Sequence, residues 1–340
     1  MKWTPMSRPL LLPLVPLYCS GLALREFRLR CGWEPISRLR HPVISIGNLS
    51  TGGSGKTPFT IALARLLASR GVHVDVLSRG YSRSSRLPLR VKPAGTAQEF
   101  GDEPLLIARE TGVPVYVAPQ RYDAGVLAEA GRNPDQNQGQ PQVHILDDGF
   151  QHRQLARDIE IVLVSGEDLH DRLLPAGNLR EPIKALSRAH VIAISRDQPE
   201  LEGEIKSMGW AGAIWHIRRR MDVPSVVGSV VAFCGIAQPD QFFAGLKQAG
   251  QQLAAEIAFR DHHAYTRKDI QRLISAARSE GASALITTEK DRVRLESLAS
   301  ELPAELPLTT ARLEIEFENE TKAIDWLLAR LGVGPRVPSL

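Results

Sequence analysis

Residues 42–58 read PVISIGNLSTGGSGKTP. The opening PVISIG is a short apolar run rich in β-branched side chains, which predicts a buried strand over 42–47. A glycine-rich loop follows at 51–55, then an amphipathic helix through about Ser69. Strand, glycine loop and helix in this order surround an anion with backbone N–H groups at a helix N-terminus. The P-loop pattern G-x4-G-K-[ST] is met at Gly55, Lys56 and Thr57, with Ser50 where the first glycine is usual and Gly52 and Gly53 supplying the flexible turn. Ser50, Thr51, Gly52, Gly53, Ser54, Gly55, Lys56 and Thr57 are therefore the expected nucleotide-binding residues. Lys56 can reach the β- and γ-phosphates, and the Thr57 hydroxyl can hold Mg²⁺. The plain alternative is a glycine-rich turn without a ligand, and the flanking strand and helix argue against it.

A second motif supports this one. Val143–Asp148 (VHILDD) is an apolar strand ending in acid, where a carboxylate can bind the metal directly or through water. Such endings are common in α/β folds and gain weight only after a P-loop. Asp147 is the expected metal ligand, with Asp148 as a second carboxylate among the catalytic residues.

Around these motifs, strands are expected at 73–77, 113–117, 160–164 and 190–194, helices at 104–111 and 122–131, and a polar loop at 133–142. Apolar β-runs separated by helices indicate an α/β domain with a mostly parallel sheet, here P-loop NTPase-like. The pattern then restarts with a strand at 229–234, helices at 239–249 and 268–280, and a strand at 284–287, a second and smaller α/β unit. Two alternating segments flank it, 213–220 (AIWHIRRR) and 311–318 (ARLEIEFE). Either they pair as a two-stranded linker, or each is an edge strand of its own domain. The expected division is an N-terminal segment 1–30, a P-loop domain 31–212, the linker 213–220 with 311–318, a smaller domain 221–310, and a C-terminal helix and tail 319–340.

The chain has 340 residues, enough for about two domains. Its 43% apolar and 24% charged residues argue against disorder and against a polytopic membrane protein. Cys19, Cys31 and Cys234 form neither a disulfide framework nor a metal pattern, which suggests a reducing compartment. The formal net charge is +4, but residues 1–40 alone carry a net +5 and the other 300 residues −1. A near-neutral body disfavours nucleic acid as a partner.

Residues 9–24 (PLLLPLVPLYCSGLAL) carry no charge, and Arg25, Arg28 and Arg30 follow. Sixteen residues fall short of the roughly 20 that cross a bilayer. Pro13 and Pro16 would break or kink an interior helix. A cleaved signal peptide lacks a clean A-x-A site, and a lipoprotein reading of Cys19 is opposed by the bulky Tyr18 before it. A helix packed on the protein's own core remains open. The preferred reading is a membrane-associating helix on the membrane surface, with arginines on anionic head groups and the body on the cytoplasmic side.

These features leave open whether water or an alcohol accepts the phosphate. A GTPase motif N/T-K-x-D has no match, since Thr288-Glu289-Lys290-Asp291 carries its lysine one place late. The lysine that precedes the glycine pair in MinD-type ATPases is replaced by Thr51. The chain instead resembles the tetraacyldisaccharide 4'-kinases of lipid A biosynthesis. The matching pieces are GNLSTGGSGKTP (47–58), LSRGY (77–81), GDEPLL (101–106), LDDGFQHRQLARD (146–158), RLLPAGNLREP (172–182), AFCGIAQPDQFF (232–243), DHHAYT (261–266) and TTEKDRVRL (287–295), in the family's order. Ser50 in place of the first glycine matches the family too.

The resemblance implies ATP-dependent phosphorylation of the 4'-hydroxyl of a tetraacylated glucosamine disaccharide 1-phosphate, giving lipid IVA, with ATP and Mg²⁺ as cofactors. It places the enzyme on the cytoplasmic face of a bacterial inner membrane, acting on an anionic glycolipid, and a monomer is expected. Asp102 matches the family's proposed base, the carboxylate expected to take the hydroxyl proton; its plain alternative is a helix N-cap. His262 matches the histidine that assists it, the alternative being a solvent-facing loop residue. If they pair, they join a large-domain loop to a small-domain loop, and closure assembles the site. His263 is the weaker candidate. Arg79, Arg121 and Arg180 are candidates for the anionic lipid and the transition-state charge, and Glu181 for sugar hydroxyls, against the alternative of structural ion pairs. Gln151 and His152 follow the acidic strand end and are expected to shape the site. Glu289-Lys290-Asp291 has no assigned role beyond a possible lid contact. Rival functions are a P-loop kinase with a different lipid-linked acceptor and a membrane-tethered NTPase switch.

Overall fold

All six residues of the strand Val43–Asn48 are buried, and their side chains divide by parity. Ile44 and Ile46 join one core cluster and Val43 another. The strand Ile159–Val164 splits the same way, with Ile159, Ile161 and Leu163 on one side and Val162 and Val164 on the other. Strands apolar on both faces must be covered on both faces, which is the arrangement of a parallel sheet between helices. The computed structural model of the protein describes residues 8–53, 55–131 and 141–332. Ser54 and most of the polar stretch 133–142 lie outside them.

In chain order the first elements are α1 (Val15–Arg30), β1 (Val43–Asn48), α2 (Lys56–Ser69), β2 (His73–Ser78), β3 (Leu89–Arg90), α3 (Ala97–Phe100), α4 (Asp102–Thr111), β4 (Val115–Val117) and α5 (Arg121–Ala130). Then come β5 (Gln142–Leu146), β6 (Ile159–Val164), α6 (Gly166–His170), β7 (Val191–Ser195), α7 (Glu200–Ser207) and β8 (Ala213–Asp222). The remainder is β9 (Ser229–Cys234), α8 (Pro239–Gln248), β10 (Gln252–Ala258), α9 (Arg267–Ser279), β11 (Ala284–Thr288), α10 (Glu289–Leu295), β12 (Leu308–Phe317) and α11 (Glu320–Arg330).

Twelve strands form one sheet, ordered β10-β9-β11-β12-β8-β7-β6-β1-β5-β2-β4-β3. Neighbours are parallel except β8 with β12 and the short edge pair β3 with β4. The α/β reading with a mostly parallel sheet is therefore correct. β1 sits between β5 and β6, where the strand order reverses, and the carboxyl end of such a strand is the crevice in which α/β sheets bind ligands.

β8 runs parallel to β7 over Ala213–Ile217, then continues and pairs antiparallel with β12 from Ile217 to Asp222. β12 in turn begins parallel to β11 at Leu308–Ala311 before its tail Arg312–Phe317 meets β8. Each strand thus starts in one unit and ends in the pairing between them. An aromatic chain ties this junction to the glycine loop. Phe317 lies 5.1 Å from Phe59 of α2 and 5.9 Å from Trp215 of β8, and Trp326 of α11 is 6.1 Å from Trp215.

Strand β10 and helix α10 had no clear signal. β10 (QLAAEIA) is alanine-rich and mostly half-exposed at the sheet edge, so it shows neither clean alternation nor a buried run. α10 is a seven-residue helix capped by Thr288, too short for a helical period.

At the N-terminus a 3₁₀ segment Pro9–Leu14 leads into α1, and the helical run Pro9–Arg30 is long and apolar enough to cross a membrane by length and composition. The expected break does not occur, because Pro13 lies in the 3₁₀ segment and Pro16 in the first turn of α1, where a missing N–H costs little. None of its most apolar stretch is buried, with Leu10, Leu17, Leu24 and Phe27 exposed. That removes the alternative of a helix packed into the core.

Gly47 of β1 marks where the strand meets the segment after β5. A Cβ there would lie 2.5 Å from Phe150 Cβ and 2.8 Å from its backbone nitrogen. Gly47→Ala is expected to cost about 1–3 kcal/mol of stability through overpacking, read as a lower denaturant midpoint at unchanged slope.

Candidate active site

The glycine loop bridges β1 and α2. Gly52 (φ +119°) and Gly55 (φ +82°) take left-handed conformations, and Gly55 caps α2, so a side chain at either would be strained. Its leading residues are tied to the LLPAGNLREP segment: Thr51 N donates to Asn178 O at 2.8 Å, and Arg180 N to Leu49 O at 2.7 Å. Lys56 Nζ donates to Asn48 Oδ1 at 2.9 Å and lies 3.5 Å from Asp148 Oδ1. Asn48 is in turn held by Ser50, its Nδ2 donating to Ser50 O at 2.9 Å.

The two acids at the end of β5 have different surroundings. Asp147 is buried; its Oδ1 accepts from Thr60 Oγ1 at 3.1 Å and its Oδ2 from Ser78 Oγ at 3.4 Å. Burial, followed by the charges of Glu103 and Asp148, pushes its pKa up to about 7. Asp148 has φ +47° and faces Lys56 and Arg180, the latter at 3.2 Å. Burial pulls its pKa up, but Lys56 and Arg180 outweigh that and hold it below the usual carboxylate value. Asp148 is thus the acid against Lys56, while Asp147 lies against α2 and β2. The residues fit a hydrated Mg²⁺. Thr57 and the two carboxylates are hard oxygen donors, and among the described residues no group of three His, Cys, Asp or Glu could hold an ion unaided. Magnesium suits such a site because it keeps several waters and binds substrate phosphates.

Arg180 also donates to Gln151 Oε1 at 3.2 Å, and Gln151 Nε2 to Asn48 O at 2.9 Å, so both lie beside the loop. Arg121 is buried at the start of α5, where burial lowers its pKa to about 10, and its Nε has no hydrogen-bond partner among the described residues. Burial, then the cations Arg121, Arg157, Arg25 and Arg79, drives the pKa of His152 down to about 3. The structure thus gathers Arg79 and Arg121 with Arg25 of α1 around His152. Glu181 is placed differently. Its Oε2 accepts from Arg188 at 2.8 Å, and Arg188 stacks on Phe150, so Glu181 sits in a structural ion pair, with only Oε1 lacking a partner.

On the opposite side, Gly101 (φ +89°) rather than Asp102 caps α4, and the helix begins two residues before its expected start. Asp102 is buried; its Oδ1 accepts from Glu103 N at 2.9 Å, and its Oδ2 lies 3.1 Å from His262 Nδ1. Arg294 Nε donates to the same Oδ2 at 2.8 Å. Burial favours the neutral acid, but His262, Arg294 and Lys290 hold Asp102 far below the usual carboxylate range. The hydrogen bond to Asp102 raises the pKa of His262. His262 adopts φ +57° and lies 5.3 Å from the Tyr81 ring. His263 instead bonds Asp269 at 3.1 Å and stacks on Phe259, a role within the smaller unit.

Two cations escaped the sequence reading. Arg219 of β8 lies over the loop, its Nε 3.4 Å from where a Gly55 Cβ would be, and Arg294 grips Asp102. Neither lies in a motif with a mechanism; only their place in AIWHIRRR and TTEKDRVRL marked them.

The family model described as Tetraacyldisaccharide-1-P 4'-kinase matches residues 7–332. The chain belongs to this family. A tetraacyldisaccharide 4'-kinase of Koribacter versatilis is 40% identical over 326 residues, 93% of this chain and 97% of the relative. Another, of Aeromonas hydrophila, is 37% identical over 331 residues, 96% and 93% of the two chains. Among solved structures, the "apo" form of LpxK from Aquifex aeolicus in complex with ATP matches at TM-score 0.73 and 32% identity, covering 95% of this chain and 99% of that one. The kinase reading thereby prevails over the NTPase switch. Lys56→Ala is expected to lower kcat about 10²–10³-fold by removing a preorganised cation from the phosphates, measured as phosphate transferred per enzyme at saturating ATP.

Proposed function

We infer that this chain transfers the γ-phosphoryl group of ATP to the 4'-hydroxyl of a tetraacylated disaccharide 1-phosphate, giving lipid IVA. Family membership over residues 7–332 carries the reading, together with a phosphate cradle and a carboxylate–histidine pair in one fold. Glu103 is close enough to shift the titration of Asp147, so the start of α4 and the acidic end of β5 share one electrostatic environment.

The residues divide the work. The loop backbone from Ser50 to Thr57 and Lys56 bind the triphosphate, and Arg180, held by Asp148 and Gln151, stands ready for charge on the transferred group. Thr57 with Asp147 and Asp148 would hold Mg²⁺, which when bound neutralises phosphate charge. Asp102 takes the hydroxyl proton as the acceptor oxygen attacks, and His262 shares the charge that results. The cations Arg25, Arg79 and Arg121 around His152 suit an anionic glycolipid.

The same reading covers the arrangement. Residues 31–212 act as the kinase domain and 221–310 as a smaller domain, with β8 and β12 as the linker. The exposed apolar face of α1 lies on the cytoplasmic surface of the inner membrane, and the protein works as a monomer. Three contacts fix α1 to the body: Tyr18 Oη donates to Arg180 O at 2.8 Å, Arg25 donates to Gln151 O, and Arg153 donates to Glu26. The helix therefore runs beside Arg180 and Gln151, residues placed on the substrate.

Incubation with ATP, Mg²⁺ and the disaccharide 1-phosphate should add one phosphate to the lipid by mass analysis, whereas nucleotide hydrolysis without lipid phosphorylation would overturn the kinase reading. Deleting residues 1–24 should reduce sedimentation with anionic vesicles severalfold while the body stays folded. Undiminished sedimentation would refute the surface helix.

A further inference from the structure

The segment TTEKDRVRL (287–295) has no role in the reaction as derived above. Its geometry supplies one. Thr288 caps α10, its hydroxyl accepting from Asp291 N at 3.1 Å and donating to Asp291 Oδ2 at 2.6 Å. Asp291 is fully buried, and its Oδ1 accepts from Gly235 N, Tyr265 Oη and Arg294 Nη1, each at 3.0 Å. Arg294 Nη1 also donates to Gly235 O. One edge of the guanidinium is thus fixed inside the smaller unit. The other edge, Nε and Nη2, reaches Asp102 Oδ2.

We propose that Arg294, anchored by Asp291, is a positioning residue that orients Asp102 and keeps it ionised for proton removal from the acceptor hydroxyl. The proposal rests on the reading of Asp102 as base. A carboxylate that must act while buried needs a fixed cation beside it, because burial alone favours the neutral acid. An arginine serves this need better than a second histidine, since it stays charged throughout the working pH range.

The contacts argue against a mere tie between the two units. Lys290, one turn earlier on α10, already bonds Glu103 and supplies that tie. Arg294 converges instead on Oδ2, the oxygen that His262 also uses, while Oδ1 is occupied by Glu103 N. Among the described residues, the charged groups of this network are Lys290, Asp291 and Arg294 from α10, Asp261 and His262 from the turn after β10, and Glu103 beside Asp102. Of these, His262, Arg294 and Lys290 are the ones that hold its carboxyl down. Removing Arg294 takes away one of the three, so the folded-state pKa of Asp102 rises and its ionised form is lost at higher pH than before.

The test compares Arg294→Met, Arg294→Lys and Asp102→Asn in the lipid-phosphorylation assay across pH. Arg294→Met should lower kcat about 10–100-fold, leave the KM for ATP within about twofold, and move the acidic limb of the kcat profile up by about 1–3 pH units. Arg294→Lys should bring the limb only part of the way back, because an ammonium can reach Oδ2 but lacks the planar fork that Asp291 anchors. If Arg294→Met unfolds at acidic pH, the titration of His262 by NMR in Arg294→Gln replaces the profile. Arg294 lowers the pKa of His262, so that titration should move up. An unmoved acidic limb, or an unmoved His262 titration, overturns the proposal while Asp102 remains the base if Asp102→Asn is inactive. A fully active Asp102→Asn enzyme overturns the base assignment and this role together.

Discussion

The antiparallel pairing of β8 with β12 sets the position of everything on the acceptor side. It is the junction at which the smaller unit's strands continue into the larger sheet. Backbone hydrogen bonds fix strand register far more tightly than surface side chains fix an interface, since a one-residue slip would turn every side chain to the other face. The register Phe317 with Ile217 also drives Phe317 against Phe59, the fourth residue of the helix that carries Lys56. The junction therefore touches the phosphate cradle through packed rings. On the other side it carries β11 and α10, whose Lys290 and Arg294 meet Glu103 and Asp102. One strand pairing places both halves of the chemistry.

The cost of this arrangement is a set of charges taken out of water. Asp102 and Arg294 are both almost fully enclosed, at 7% and 6% side-chain exposure. A buried pair of this kind gives little net stability, yet removing one partner typically costs about 3–5 kcal/mol because the other is stranded. Such pairs make poor glue and good position markers. The same logic separates the acids after β5. Asp148 is matched by Lys56 and Arg180 and stays ionised, whereas Asp147, among the described residues, has two hydroxyl donors and no cation in contact, so burial raises it. Arg121 shows the converse, a buried cation whose Nε has no partner among the described residues, in a protein whose acceptor is anionic.

What was legible in the sequence follows from range. The strand–loop–helix at 42–58 is local, and glycine at a left-handed position, a lysine at a helix start and an apolar strand each leave a mark in consecutive residues. Asp102 and His262 were legible only through a resemblance, since 160 residues separate them. Arg294 was not legible, because its function lies in contacts to Asp102, Asp291 and Gly235 that no spacing encodes. Glu181 is the converse case. LREP marks it strongly, but its nearest cation is Arg188, seven residues on and held over Phe150, a packing arrangement visible only in three dimensions. Pro13 and Pro16 misled for a geometric reason, since Pro13 stands in the 3₁₀ segment and Pro16 in the first turn of α1, so neither lies in the interior of the α-helix.

The excess of positive charge at the N-terminus acquires a second meaning from the fold. Arginines after an apolar helix are enough to bind anionic head groups. Here they also enter the site: Arg25 bonds the carbonyl of Gln151, and its charge reaches His152 together with those of Arg79 and Arg121. Burial first, then these charges and that of Arg157, keep that imidazole neutral. The exposed apolar run from Pro9 and the arginine that bonds Gln151 are thus parts of one helical element, which carries the charge concentrated near the N-terminus to the segment after β5.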